Sequence, residues 1–578
     1  MKKINTFLIA TSLAAVALSP SCKKAGSPDP VIPIDTTVVI NPPVEPTIAN
    51  TIGFFLDDWQ PKNFVKPSVV SASAPTTATY AVTIDPSAII TKIPRSFAGN
   101  NANLWMTQMV TEASLMTNIT NLHPHIIRFP GGSISDIFFW NANTNVNPAG
   151  APDTLIAANG TRSKAGFWYG KNPDSWTLSV DNYYNMLQQT GNKGIITINY
   201  GYARYGRGAN PVADAAHMAA DWVRYDNGRT RYWEIGNENF GDWEAGYRID
   251  VSKNKDGQTE YLSGALYGQH VKVFIDSMRK AAQEIGQTIF IGAVMVEAAS
   301  PSWATTTHRT WNSGLLTNVS NLPDFYVVHN YYTSFNTNSN AAEVLNTATV
   351  ETKKMMDFVI AALPANGAAI KPIALDEWNI FATGSRQQVS HINGMHGIMV
   401  LGESLKYKIG LTARWDLANG WDNGNDHGMF SNGDEPGVSK WNPRPAFYHM
   451  YFFQKTLGDR LITTSNSYSQ IYEVYSSSFT SGEVGSTIVN KSTNAITVKL
   501  NIKNFKPAKR FYWYTLSGSN DNGEFSRKVV VNGKGPDGEG GGPSDYHTLA
   551  ANASDVGASG INISVPARSV VCVVVDNK

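Results

Sequence analysis

Eight short apolar runs, each ending in polar or glycine residues, punctuate residues 93 to 425: IPRSFAGNN, HIIRFPGG, GIITINYGY, RYWEIGNEN, TIFIGAVM, DFYVVHNYY, PIALDEWN and LTARWDLAN. Helical stretches separate several of them. In YGQHVKVFIDSMRKAAQEIG, the residues Val271, Phe274, Ile275, Met278, Ala282 and Ile285 recur at three- and four-residue steps, and Gly286 stops the pattern. Strand–helix alternation implies a parallel sheet, and eight units imply its closure into a (β/α)8 barrel. A doubly wound open sheet is the rival. It lacks support, because neither GNNAN nor PGGS supplies the G-x-G-x-x-G phosphate turn.

The flanks read differently. MKK followed by INTFLIATSLAAVAL and SPSC has the form of a lipoprotein signal over residues 1–22, with Cys22 as the lipidated residue, so an exported chain anchored at the outer membrane or cell surface is expected. Pro20 departs from the usual small-residue box, which leaves plain secretion as the alternative. Residues 23–50 are a Pro/Thr-rich linker, and the barrel is assigned to 51–440, with its first strand-like pieces allowed to join the later sheet. From 441 to 578 the chain turns to period-two alternation broken by Gly, Ser and Asn, the pattern of a C-terminal β-sandwich domain. Cys572 in SVVCVVVD is expected to be a core thiol.

Charge narrows the partners. Lys+Arg 47 against Asp+Glu 46 leaves no field for nucleic acid or an anionic membrane, so a membrane is reached only through Cys22. Aromatics at 11% fit a surface on which sugar C–H faces pack.

Within the barrel reading, polar groups at the strands' C-terminal ends converge on one pocket. YWEIGNEN delivers Glu238 just past the fourth run, and DEWN places Glu377 at the end of the seventh. Two carboxylates across one barrel mouth are the constellation of glycoside hydrolysis: a separation of roughly 5 Å gives retention, and roughly 6.5–9.5 Å inversion. Strand parity points Asp376 away from this pocket and sets Glu234 one layer below Glu238, as the buried partner of a basic residue. Trp378, Trp415 and Trp421 are candidates for a sugar platform. His391, His396 and His427 lack metal-ligand spacing, and no metal or organic cofactor is expected; Asp422, Asn425 and Asp426 offer at most a calcium-type acidic group.

RFPGG, WEIGNEN, VVHNYY and DEWN, in that order and followed by a β-rich tail, resemble the retaining hydrolases of the large (β/α)8 glycosidase clan, and in particular family 51, mainly α-L-arabinofuranosidases with some endoglucanases. The resemblance spans roughly residues 85 to 575. It implies Glu238 as general acid/base, Glu377 as nucleophile, Asn237 on the sugar 2-hydroxyl, Arg128 beside the nucleophile, and His329 and Tyr331 lining the pocket. It also implies a polysaccharide or oligosaccharide of plant or algal origin as substrate. The acid is then expected to have a raised pKa and the nucleophile a lowered one. YGYARYGRGANP and FGDWEAGYRID do not map onto the arabinofuranosidases, so an endo-acting glycanase (an endoglucanase, agarase or porphyranase type) competes. Two rivals come from other classes. One is a polysaccharide lyase using Tyr202, Arg204, Tyr205 and Arg207, and the other a non-catalytic glycan-binding lipoprotein.

Overall fold

The computed structural model describes residues 40–47, 50–335, 337–384, 386–519 and 524–577. Cys22, the signal and most of the linker lie outside the described residues.

Each of the eight runs supplies one strand of a closed, all-parallel barrel: β1 Gly99–Asn101, β2 Ile126–Phe129, β3 Lys193–Ile198, β4 Tyr232–Ile235, β5 Phe290–Val294, β6 Phe325–Tyr331, β7 Ile373–Asn379 and β8 Leu411–Arg414. The ring closes where β8 pairs β1 at Ala413–Gly99 and Arg414–Asn100. Gly99 is fitted to that junction, since a Cβ there would lie 2.4 Å from the Thr412 carbonyl oxygen. The helix after β4 runs Gly264–Glu284, capped by the Ser263 side chain accepting from the Leu266 N–H. Its buried face carries Val271, Phe274, Ile275, Met278 and Ala282, the stripe read from the sequence, while Ile285 is half-buried at its end.

Alternation within the strands separates two environments. On β2, Ile127 and Phe129 face the helices, and the Phe129 ring stacks on Tyr183 at 4.4 Å; Ile126 and Arg128 face the barrel interior. The N-terminal mouth is closed by residues whose place the sequence left open. The short helix Gly53–Leu56 inserts Phe55 and Leu56 among Ile126, Ile195, Tyr232, Phe325 and Leu411, with Phe54 stacked on Phe290 at 3.8 Å. Apolar layers therefore fill the bottom of the barrel, and polar ones the top.

The helix Pro445–Thr456 follows β8 and packs beside the helix His391–Lys406, so it completes the barrel and the sandwich begins at Arg460. The sandwich strands include one from the other end of the chain: Tyr80–Lys92 pairs antiparallel to Arg460–Ser465 and parallel to Ile496–Ile502. Strand Ser569–Val575 is buried throughout because it has two apolar faces. Val571, Val573 and Val575 point into the sandwich core, while Val570 and Cys572 join the barrel-side core with Phe452 and Tyr514. The Cys572 thiol is free, and burial pushes it up to about 11. Among the described residues, no helix is long and apolar enough to cross a membrane.

Candidate active site

Two strand ends bring the acids together. β4 ends in a turn where Gly236 (φ +76) leaves no room for a side chain, because a Cβ would meet Asn239 Oδ1 at 2.0 Å. Two residues on, Glu238 itself sits at φ +40, a conformation a non-glycine residue keeps only where its surroundings hold it. Opposite, β7 carries a bulge. Leu375 pairs Val328 and Glu377 pairs His329, so Asp376 is the extra residue against β6.

Two expectations fail at this strand end. Asp376 does not point away: its Oδ1 lies 3.3 Å from His329 Nε2 and its Oδ2 3.6 Å from Arg128 Nε, inside the barrel. With Asp376 and Glu377 both inward, Trp378 turns outward. It is fully buried in the core shared with the helices, with Gly397 beside its ring, and offers no face to a sugar. Trp415, at the end of β8, stays at the rim with 9% of its surface exposed. Its ring packs on Gly131 and Gly132 of RFPGG, so those glycines make a turn and also clear space for an indole.

Arg128 is the hub. Its Nε and Nη2 grip both oxygens of Glu234 at 2.9 and 3.2 Å; Nη1 donates to Glu377 Oε2 at 2.9 Å and Asn101 Oδ1 at 3.1 Å; Nη2 also reaches Asn237 Oδ1 at 2.8 Å. A fully buried guanidinium is tolerable only with such complete pairing. Glu234 thus finds the basic partner expected of it. Burial would raise its pKa, but Arg128 and His329 outweigh burial and hold it at about 2.

Glu377 accepts from Arg128 on one oxygen and from the Tyr331 hydroxyl on the other at 2.8 Å. Glu238 accepts from His329 Nδ1 at 2.9 Å and from the Trp243 indole N–H at 3.1 Å. One oxygen of Glu238, one of Glu377 and a ring nitrogen of His329 all lie within 4.8 Å of one another. Asn237 is buried, with its carboxamide oxygen on Arg128 and its Nδ2 donating to Glu244 Oε1 at 3.0 Å.

The acidity pattern is the reverse of the one expected. Burial pushes Glu238 up, but His329 and Trp243 overcome it and leave its pKa below the usual value. Burial pushes Glu377 above its usual value, with the Glu238 charge adding to it against His329 and Arg128. The reason is geometric. His329 sits 2.9 Å from Glu238 and 3.8 Å from Glu377, and the Glu377 side chain is the less exposed, 7% against 18%. His329 faces Glu234, Glu238, Asp376 and Glu377, and these acids raise its pKa well above the ordinary imidazole range despite burial. The same donor sets, Glu238–His329–Glu377 and Glu234–His329–Asp376, have metal-ligand spacing. Here Arg128 and the imidazolium already supply two positive charges to these four carboxylates. The acidic group near residue 422 is likewise committed, since Asp426 pairs with Arg444 at 2.6 Å.

Several supporting residues escaped sequence reasoning. Asn101 receives Arg128 and donates to the Asp376 carbonyl at 2.9 Å. Asp136 accepts the Asn237 N–H at 3.3 Å and the Asn239 amide at 2.7 Å, and burial lifts it to about 7. Asn101 closes the first apolar run, as the acids close theirs, whereas no local motif marks Asp136. Trp243 was legible only as a loop aromatic near the acid. Three of the four residues of the lyase reading are tied into the fold: Tyr202 donates to the Ala149 carbonyl, Tyr205 to the Asp136 carbonyl, and Arg204 to carbonyls of the 246–260 segment, while Arg207 lines a separate cavity. Around the mouth, Trp243, Trp303 and Phe335 are exposed on the loops after β4, β5 and β6.

No protein-family model and no curated protein matches the chain. Solved structures do. An α-L-arabinofuranosidase from Thermotoga maritima aligns over 86% of this chain and 99% of its own at 15% identity and TM-score 0.59. CelM2, a bifunctional glucanase-xylanase from a metagenome library, aligns over 89% and 100% at 13% identity and TM-score 0.56. A Paenibacillus polymyxa xyloglucanase of glycoside hydrolase family 44 aligns over 86% and 99% at 10% identity and TM-score 0.53. At these identities the likeness is one of fold, and it extends over barrel and sandwich together.

Proposed function

We propose that the protein is a retaining glycoside hydrolase acting on a plant or algal glycan, with Glu377 as nucleophile and Glu238 as general acid/base. The observation that carries this reading is the approach of the two carboxylates, with oxygens within 4.8 Å, from the ends of β4 and β7. An approach of one oxygen from each carboxylate to within 4.8 Å fits a double displacement, for which carboxyls stand about 5 Å apart. Neighbours of similar fold that are arabinofuranosidases, glucanase-xylanases and xyloglucanases support the reaction class.

In the first step a Glu377 oxygen bonds to the anomeric carbon as the glycosidic C–O bond breaks, and the leaving oxygen takes a proton from Glu238. In the second, water attacks the glycosyl ester, gives its proton to Glu238 and frees Glu377. Arg128 and Tyr331 donate to Glu377 and aim it, favouring its ionised form against the push of burial. Both Glu238 oxygens accept N–H donors in the free site, which suits the base it becomes in the second step. For the first, a leaving-group oxygen displacing the exposed Trp243 indole frees an oxygen of Glu238 to carry the proton. Trp415 supplies the sugar platform.

The test is a 2-deoxy-2-fluoro glycoside with an activated leaving group, followed by peptide mapping. A glycosyl adduct on Glu377 is expected; an adduct on Glu238 exchanges the roles, and a rise in ultraviolet absorbance during polysaccharide digestion indicates a lyase.

We also propose export, with lipid on Cys22. Labelling by a fatty-acid analogue that Cys22→Ser abolishes would support it, and unchanged labelling would refute it.

A further inference from the structure

A second polar cavity lies beside the acid/base turn. It measures about 30 Å³ and is walled by the loops after β2, β3 and β4, with Arg162, Arg204, Arg207, Arg248 and Lys253 facing one carboxylate, Asp250. Two of the cations are compensated: Arg162 pairs with Asp250 at 2.7 Å, and Arg248 with Glu260 at 2.7 Å. The others are not. Arg207 and Lys253 make no side-chain hydrogen bond or ion pair among the described residues.

Arg204 is the unusual one. It is fully buried, and every acceptor it meets is uncharged: the carbonyls of Gly246, Thr259 and Glu260 at 3.0, 2.9 and 3.1 Å, and Gln258 Oε1 at 2.7 Å. Asp256 helps only from a distance, and its carboxylate receives the Gln258 amide at 3.0 Å. A buried charge without a counter-ion is costly, and burial accordingly lowers the Arg204 pKa. An anion in the cavity would supply the missing charge.

The cavity and the catalytic turn share their supports. Tyr205, in its wall, donates to the Asp136 carbonyl, and the Asp136 carboxylate takes the Asn237 N–H. Gly246, also in its wall, follows Glu244, which accepts the Asn237 amide.

We propose that this cavity binds an oxyanion substituent, a sulfate ester or a carboxylate, on a sugar unit flanking the cleavage point. The inference rests on the glycosidase reading and narrows the substrate to an anionic glycan. Arginine forks match the planar and tetrahedral oxygens of both groups. A free inorganic oxyanion offers the same chemistry, so the experiment separates the two sources.

The full-length protein is titrated calorimetrically with inorganic sulfate, and its Glu377→Gln variant with a neutral oligosaccharide and with the same backbone bearing sulfate or uronate groups. Arg207→Ala, which breaks no bond in the fold, is measured alongside, with thermal unfolding as the control. The expected result is sulfate binding that weakens at least tenfold in Arg207→Ala. Charged glycan should also bind at least tenfold tighter than neutral, and Arg207→Ala should erase that preference. No sulfate binding together with equal glycan affinities would overturn the proposal, and sulfate binding without preference for charged glycan would overturn the glycan source. Sulfate binding involves no catalytic step. A protein that hydrolyses nothing yet loses sulfate affinity in Arg207→Ala therefore refutes the hydrolase reading and not the anion site.

Discussion

His329 donates from Nδ1 to Glu238 Oε1 across 2.9 Å, so an imidazolium is in direct contact with the carboxylate assigned to proton transfer. The contact favours the ionised form of Glu238 against the push of burial. His329→Asn keeps an N–H near the Nδ1 position and deletes the charge. The Glu238 pKa then rises, the acid stays loaded to higher pH, and the alkaline limb of kcat/KM moves up by roughly one unit or more. A pH–rate profile on one substrate checks the sign; an unmoved or acid-shifted limb rules out the charged contact.

The two glutamates should separate by leaving group. Glu377→Ala is expected to abolish turnover on every substrate. Glu238→Ala should lose roughly 10²–10⁴-fold on substrates with poor leaving groups and far less in the glycosylation step of activated aryl glycosides. Pre-steady-state release of the aryl group reads that step directly. Equal damage from both changes, with glycosylation rate-limiting, would refute the assignment.

Arg128 couples stability to the site. Replacing it by Met leaves Glu234 buried beneath Asp376 and Glu377 without its bidentate partner. Breaking a buried pair from one side costs about 3–5 kcal/mol, and denaturant titration should show a loss of that order. Lys supplies one ammonium where five contacts are made, so Arg128→Lys should recover only part of it.

Gly132 tests the platform from behind. It sits at φ +63, and a Cβ there would lie 2.6 Å from the Trp415 ring. With ψ at −173 this is a conformation open essentially to glycine alone, so Gly132→Ala should cost about 1–3 kcal/mol in backbone strain and displace the indole. We expect kcat/KM on oligosaccharides to fall at least tenfold while the chain still folds, measured by kinetics beside thermal unfolding.

The eight barrel strands were legible because each is a short apolar run closed by polar residues, and both acids were legible because they end such runs. What stayed hidden follows from irregularity and distance. Parity counted from Glu377 misplaces Asp376 because the bulge turns two consecutive side chains inward, and the same count places Trp378 outward, where it is buried. Asp136 reaches the site through Asn237 and Asn239, more than 100 residues away, and Asn101 meets the Asp376 carbonyl 275 residues away. The acidity order eluded reading for a similar cause, since it depends on whether His329 stands nearer one carboxylate or the other.

Thr79, at the start of the strand Tyr80–Lys92, bonds to Thr497, a partner 418 residues downstream. During synthesis that strand leaves the ribosome early and waits, edges bare, while the whole catalytic unit is made. The strand therefore has both edges unpaired until the segment 460–502 has been made. Cutting the gene after the last barrel helix would remove both of this strand's pairing partners.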